Sequence, residues 1–250
     1  MSNITKRAVV LALALMNACT FHLLAAPEKG SRAEEDETKN WSFTPDEELP
    51  NVLILGDSIS IGYTLQVREL LKGKANVFRP VTPDGSRPVN CSGTTVGLER
   101  CSSLLKAHKW DVIHFNWGLH DLKHVKKAGT QRNSNNPNDP QQCAPKEYGV
   151  NLQKIVDELR ETGAKLIFAT TTPVVPGTNN PLRQSEAPSE YNAVASEIME
   201  KNKIRVNDLY ALSLPNLKKW QLPKNVHFNR KGSQAFAEQV ASVIGEELEK

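Results

Sequence analysis

Charge of one sign is what this 250-residue sequence lacks most plainly: 31 Lys and Arg stand against 28 Asp and Glu, a net charge of +3. Removal of residues 1–26 would take away Lys6 and Arg7 and no acid, leaving +1. So balanced a chain has no clustered basic face of the kind that nucleic-acid binding requires. Segment 123–127 holds three lysines but no aromatic residues between them, and reads as a solvated loop or helix end. A long hydrophobic run is also missing. The apolar stretch from Ala8 to Met16 is followed by Asn17, Thr20 and His22, and falls short of the roughly 20 apolar residues that span a bilayer. There is no glycine-rich phosphate cradle either, since Gly56 and Gly62 do not fit G-x-G-x-x-G. His108, His114, His120 and His124 lack the H-E-x-x-H spacing of a helical metal site, and His114 falls inside a candidate buried strand. No metal and no cofactor is expected. Cysteine is scarce. Beyond Cys19 the chain has Cys91, Cys101 and Cys143, an odd number, so one pair can be bridged and one thiol left over. Cys101 takes a core position on a candidate helix, whereas Cys91 and Cys143 lie in loops that the fold expected below places at one sheet edge, so Cys91–Cys143 is the expected disulfide.

What is present divides the chain into three parts. Lys6 and Arg7, the apolar run, and small residues ending at Ala26 have the layout of a secretory signal peptide, so residues 1–26 are read as a cleaved leader. The protein is then exported, periplasmic or extracellular, with no stable membrane insertion after cleavage. Residues 27–46 are polar and acidic and read as a flexible linker. Residues 47–250 form one domain in which strand and helix patterns alternate. Strands are expected at 52–55, 76–79, 112–116, 166–170 and 204–207. Helices are expected near 61–72, 95–107, 146–162, 190–201 and 233–249. This alternation predicts an α/β fold, a three-layer α/β/α sandwich around a five-stranded parallel sheet of flavodoxin-like type. Such folds bind ligands at the carboxyl ends of the strands. Two long segments, 122–145 and 173–188, lie at that edge and are expected to shape a groove.

Gly56-Asp57-Ser58 directly follows the first strand and precedes a helix. A serine there sits beside a helix N-terminus, whose N–H groups can stabilise negative charge. Serine is equally at home there as a helix cap. The turn is not the α/β-hydrolase nucleophile elbow, because Ser60 stands where that motif needs glycine. Near the other end of the chain, Asn225-Val226-His227-Phe228 precedes the last helix. A hydroxyl needs an adjacent base to become a nucleophile at neutral pH, and histidine is the usual one. A loop after the fifth strand would bring His227 to the edge that carries Ser58.

Gly56-Asp57-Ser58-Ile59 resembles the first conserved block of the SGNH/GDSL hydrolases. Gly93, within Asn90-Cys91-Ser92-Gly93-Thr94, looks like their second-block glycine. Gly118-Leu119-His120-Asp121 falls where their third block belongs, and His227 matches their C-terminal histidine. The wording of 116–122 and 170–174 resembles an exported bacterial subgroup of the family. The resemblance spans residues 51–248. It implies the SGNH hydrolase fold and a serine esterase that hydrolyses carboxylic esters of small molecules or glycans. Ser58 would be the nucleophile and His227 the base, with Ser58, Gly93 and His120 as oxyanion donors. Acetyl on carbohydrate is the narrower substrate that family analogy adds.

Two positions depart from the family pattern. The third-block asparagine is replaced by His120, with Asn116 on the same strand end as the alternative donor. Lys224 stands three residues before His227, where the family has an aspartate, and Asp208 is the nearest substitute by element. These departures motivate a rival reading, a non-catalytic carbohydrate-binding protein on the same scaffold.

Overall fold

The computed structural model describes residues 41–250. The expected signal peptide and most of the expected linker lie outside the described residues. Within them are β1 (Asn51–Leu55), α1 (Ser58–Leu70), β2 (Asn76–Phe78), α2 (Thr94–Leu105), β3 (Val112–Phe115), α3 (Pro145–Arg160), β4 (Lys165–Ala169), α4 (Ala187–Asn202) and β5 (Arg205–Asn207). Short helices α5 (Leu209–Ser213) and α6 (Leu217–Trp220) then lead to the long α7 (Arg230–Leu248). The five strands are all parallel in the order β2-β1-β3-β4-β5. The chain winds outward in both directions from β1 and β3, so the crevice between their carboxyl ends is the topological switch point where ligands bind in such sheets.

Both faces of the sheet are covered, which explains why its strands are nearly continuous apolar runs rather than alternating ones. Leu53 and Leu55 of β1, Ile113 and Phe115 of β3, and Phe168 of β4 pack with Leu152, Ile155 and Leu159 of α3 and Tyr191 and Met199 of α4. The intervening Val52, Ile54, Val112 and Ile167 face Tyr63 and Val67 of α1 and Phe236, Val240 and Ile244 of α7. The two-residue period of the strands thus sorts one sequence into two cores.

Segment 41–46, read from sequence as the end of the linker, is held to this domain. Phe43 lies 4.9 Å from Phe78 between ring centroids, and the Arg68 guanidinium sits 4.2 Å over the Phe43 ring. Asp46 N–H donates to Asn76 Oδ1 at 2.9 Å. The expected Cys91–Cys143 disulfide is absent: Cys91, Cys101 and Cys143 are all free and buried. The Cys143 sulfur is engaged by Thr94 Oγ1 at 3.7 Å and Asn151 Nδ2 at 3.5 Å, and both thiols are packed into the core facing α3 and α4.

His114 occupies the centre of β3, fully buried. Its Nε2 accepts from Asn207 Nδ2 at 3.2 Å, and Asn207 Oδ1 in turn accepts from Gln239 Nε2 at 2.7 Å. Burial pushes this imidazole down to about 3. An unfolded chain would titrate it near 6.5, so between those values the unfolded state holds a proton that the folded state does not. The stabilising contribution is therefore complete above about pH 6.5 and drains away as pH falls toward 3. His114→Gln keeps an acceptor for Asn207 without a titrating group. Chemical unfolding at pH 7 and pH 4.5 is expected to show the variant losing about 2 kcal/mol less than the wild type between the two conditions, at ~1.4 kcal/mol per pH unit.

Candidate active site

The turn after β1 carries the first functional side chain. Asp57, with extended backbone, is the N-cap of α1, and its Oδ1 accepts from Ile59 N–H at 2.9 Å. Capping is thus done by Asp57, and the alternative reading of Ser58 as the cap is removed. Ser58 is the first helical residue, and its hydroxyl is free to point away from the helix. Its Oγ lies 2.8 Å from His227 Nε2, across 169 residues of sequence.

His227 is delivered by the loop between α6 and α7. That loop folds back as a short antiparallel pair: Leu222 N–H donates to His227 O at 2.9 Å and Asn229 N–H to Trp220 O at 2.7 Å. Gln221 Nε2 ties it to the segment that follows β4 through Pro173 O at 2.8 Å. Lys224 takes the left-handed conformation at the tip of the turn, φ 52°. The residue that faces the imidazole is its neighbour. Asn225 Oδ1 lies 2.7 Å from His227 Nδ1 and also accepts the His227 backbone N–H at 3.0 Å. A backbone N–H only donates, so the atom between these two nitrogens is the amide oxygen. That oxygen can only accept, so the proton of the neutral imidazole is on Nδ1. Nε2 is left with its lone pair aimed at the Ser58 hydroxyl, the tautomer a general base needs. Asp208 does not take part: it caps α5 through Ala211 N–H at 2.9 Å and accepts from Thr170 Oγ1 at 2.9 Å. Asn225 was not singled out from sequence. The available signal was its position two residues before His227, the spacing at which an Asn side chain accepts the backbone N–H of an Asx-turn.

The other expected residues sort differently. Gly93 is the N-cap of α2. A Cβ there would lie 3.1 Å from Asp121 Oδ1, so a side chain would push against the carboxyl that holds this turn in place. Asp121 Oδ1 accepts from Thr94 N–H at 2.8 Å and from the Thr94 hydroxyl, and burial raises this carboxyl to about 7. The N–H groups of Ser58 and Gly93 have no acceptor among the described residues. Asn116 is committed elsewhere, donating from Nδ2 to Ala169 O at 2.7 Å. His120 instead lines the same groove as Ser58 and His227. Burial pushes its imidazole down to about 4, so it is neutral at pH 7 and carries one N–H. The remaining histidines diverge: His108 stacks on Phe78 at 4.3 Å, and His124 Nδ1 pairs with Asp139 O at 2.7 Å.

One further residue supports the turn from below. Arg79, buried just beyond β2, donates from Nη2 to Gly56 O at 2.6 Å, Asp57 O at 3.3 Å and Val89 O at 3.1 Å, and from Nη1 to Ser60 Oγ at 2.7 Å. Burial lowers its proton affinity. Each buried acceptor left without a donor costs about 1–3 kcal/mol, so Arg79→Leu is expected to lose at least about 2 kcal/mol in chemical unfolding and to depress turnover as the turn shifts. A cation closing a candidate strand at the functional edge was the sequence signal for it.

The groove around Ser58 and His227 has a volume of about 550 Å³ and is lined by residues from both long loops, among them Asn133, Thr178 and Asn180. Those loops are bonded to each other, His124 N–H to Leu182 O and Leu182 N–H to Ser134 O, each at 2.9 Å. A hollow of about 640 Å³ between the end of α1 and α7 borders Pro50, at the other edge of the sheet, and neither Ser58 nor His227 lines it.

A parallel α/β sandwich with a hydrogen-bonded serine and histidine at its switch point defines a class of hydrolase-like proteins, and comparison with known proteins narrows it. Residues 54–235 match the model of the GDSL-like lipase/acylhydrolase family, and the chain belongs to that family. No match was found among curated proteins. Among solved structures, a lipase/acylhydrolase from Enterococcus faecalis superposes with a TM-score of 0.62 at 19% identity, covering 79% of this chain and 96% of its own. A variant of an acetyl-xylooligosaccharide esterase from Geobacillus gives 0.61 at 18% identity, covering 78% and 94%. The acetyl xylan esterase AlAXEase gives 0.60 at 17%, covering 78% and 99%. At these identities the likeness establishes the shared SGNH hydrolase fold.

Proposed function

We propose that the chain is a serine esterase in which Ser58 is the nucleophile and His227 the general base, oriented by Asn225. The observation that carries this reading is the 2.8 Å hydrogen bond between Ser58 Oγ and His227 Nε2, with the tautomer fixed from the far side of the ring. Ser58 Oγ attacks the ester carbonyl while Nε2 takes its proton. The resulting oxyanion is met by the Ser58 and Gly93 N–H groups and by His120. Its Nδ1 is enclosed without a partner. Placing the hydrogen on Nε2 makes Nδ1 an orphan acceptor rather than an orphan donor, the less costly choice, and leaves Nε2–H as the donor. Collapse expels the alcohol, which takes the proton back from His227, and water then hydrolyses the acyl-Ser58 ester by the same route. Loss of one oxyanion donor costs roughly 10²–10³ in turnover.

Acetyl esters of carbohydrate are the substrate class we favour. The polar groove suits a hydroxylated ligand, and two similar folds belong to esterases whose names specify acetylated xylan or xylooligosaccharide. Export through the 1–26 leader fits such a substrate, and the mass of the mature N-terminus checks it. Acetate release from p-nitrophenyl acetate and acetylated glycans, with an acyl group trapped on Ser58 by mass spectrometry, is the expected result. Glycan binding without hydrolysis of any ester would hand the protein to the carbohydrate-binding reading, against which the Asn225–His227–Ser58 chain argues.

A further inference from the structure

The groove that holds Ser58 carries two cations that form no ion pair among the described residues. Arg183 is only 8% exposed and Lys123 5%, yet both line the groove. Lys123 was expected on a solvated loop; instead the loop after β3 turns it inward. Arg183 is anchored through Nε, which donates to Leu119 O at 2.9 Å. Its two Nη groups have no acceptor among the described residues. Lys123 Nζ donates only to Gln131 Oε1 at 3.1 Å, so two of its three hydrogens are unspent. No Asp or Glu lines the groove, whose other polar walls are neutral or basic: Asn90, Asn133, Thr178, Asn180 and Lys224.

Burying an arginine and a lysine side by side is costly unless something pairs with them. Burial first and the Arg183 charge second lower the proton affinity of Lys123, and burial lowers Arg183 to about 10, which still leaves it protonated at neutral pH. The nearest acids act on them only through space: Asp57, whose Oδ1 caps α1, favours the charged form of Arg183 and Asp121 that of Lys123, but neither forms an ion pair with them among the described residues. A planar guanidinium with both Nη groups free is built for a bidentate oxyanion, and an ammonium beside it adds a point charge.

Resting on the esterase reading, we propose that the groove selects esters bearing an anionic group, a carboxylate or a phosphate, which Arg183 and Lys123 bind while the acyl carbonyl lies at Ser58. The neutral amides and hydroxyl along the walls would meet the hydroxyls of a sugar, making an acidic acylated sugar the fitting substrate.

The test separates binding from turnover. Catalytically silenced Ser58→Ala protein is titrated by calorimetry with glucuronate, glucose 6-phosphate and glucose. Binding of either anion at least ten-fold tighter than glucose, weakening as salt rises, is the expected result, and the better of the two anions identifies the group. The preference should collapse in Lys123→Gln and in Arg183→Gln, each in the Ser58→Ala background. The lysine variant and the wild-type salt dependence keep the test decisive if loss of the Arg183–Leu119 bond unfolds the loop. Glucose binding as tightly as the anions, no anion binding at all, or a preference that survives both substitutions overturns the proposal. Anion binding by a protein that hydrolyses no ester would uphold this site and overturn the esterase reading; hydrolysis without charge preference would do the reverse.

Discussion

Ser58→Ala is expected to lower kcat on p-nitrophenyl acetate by about 10⁴-fold or more, leaving a residual rate from the oxyanion donors and binding alone. The size follows from where the side chain stands. Its Oγ makes one hydrogen bond, to His227, and the cap of α1 belongs to Asp57, so folding should be unaffected and the whole effect should appear in turnover. His227→Ala is expected to cost nearly as much, and the double variant little more than either, because nucleophile and base act as one unit. Stopped-flow assays with matched unfolding curves provide the check. Activity of Ser58→Ala within ten-fold of the wild type would place the nucleophile elsewhere.

How much of this could be read from the sequence depends on which force sets each feature. The five strands and the five long helices are set by hydrophobic period and punctuation, and all ten are present close to where the pattern places them. The helix expected from 61 begins at Ser58 because Asp57 caps it, a local chemistry that periodicity does not register. Helices α5 and α6 escape the pattern because they are too short to show a period. Ser58 and His227 were legible because each lies in a motif that resembles the family's and the topology carries both motifs to one edge. Side-chain partners were not. Asn225 was hidden behind the missing aspartate, since attention falls on the position three residues before the histidine rather than two. Lys123 was misjudged because charge runs are usually solvated, and only the folding of segment 122–145 against 173–188 turns it inward. The cysteines were paired on shared location at a sheet edge, whereas their sulfurs are taken up by core packing and by Thr94 and Asn151.

Asn225 supplies the second large effect. Its amide oxygen holds His227 in the tautomer a base needs but carries no charge to balance the imidazolium that the proposed attack would form. Asn225→Ala removes both the orienting bond and the Asx-turn, and is expected to lower kcat by roughly 10²-fold with a smaller change in KM, less than loss of the nucleophile or base. Asn225→Asp keeps the geometry and adds the missing charge. Hydrogen bonds with an ionised partner are about twice as strong as neutral ones, so a gain of about ten-fold in kcat, ~1.4 kcal/mol, is expected. The sign of the accompanying pH effect is fixed. A carboxylate beside the ring favours the protonated imidazole, so the base is lost at higher pH than in the wild type and the acid limb of the kcat/KM profile moves upward. A purely structural role for Asn225 would lower activity in both variants and leave that limb in place. A pH profile of the aspartate variant on a neutral ester therefore decides between positioning of His227 and simple support of the loop.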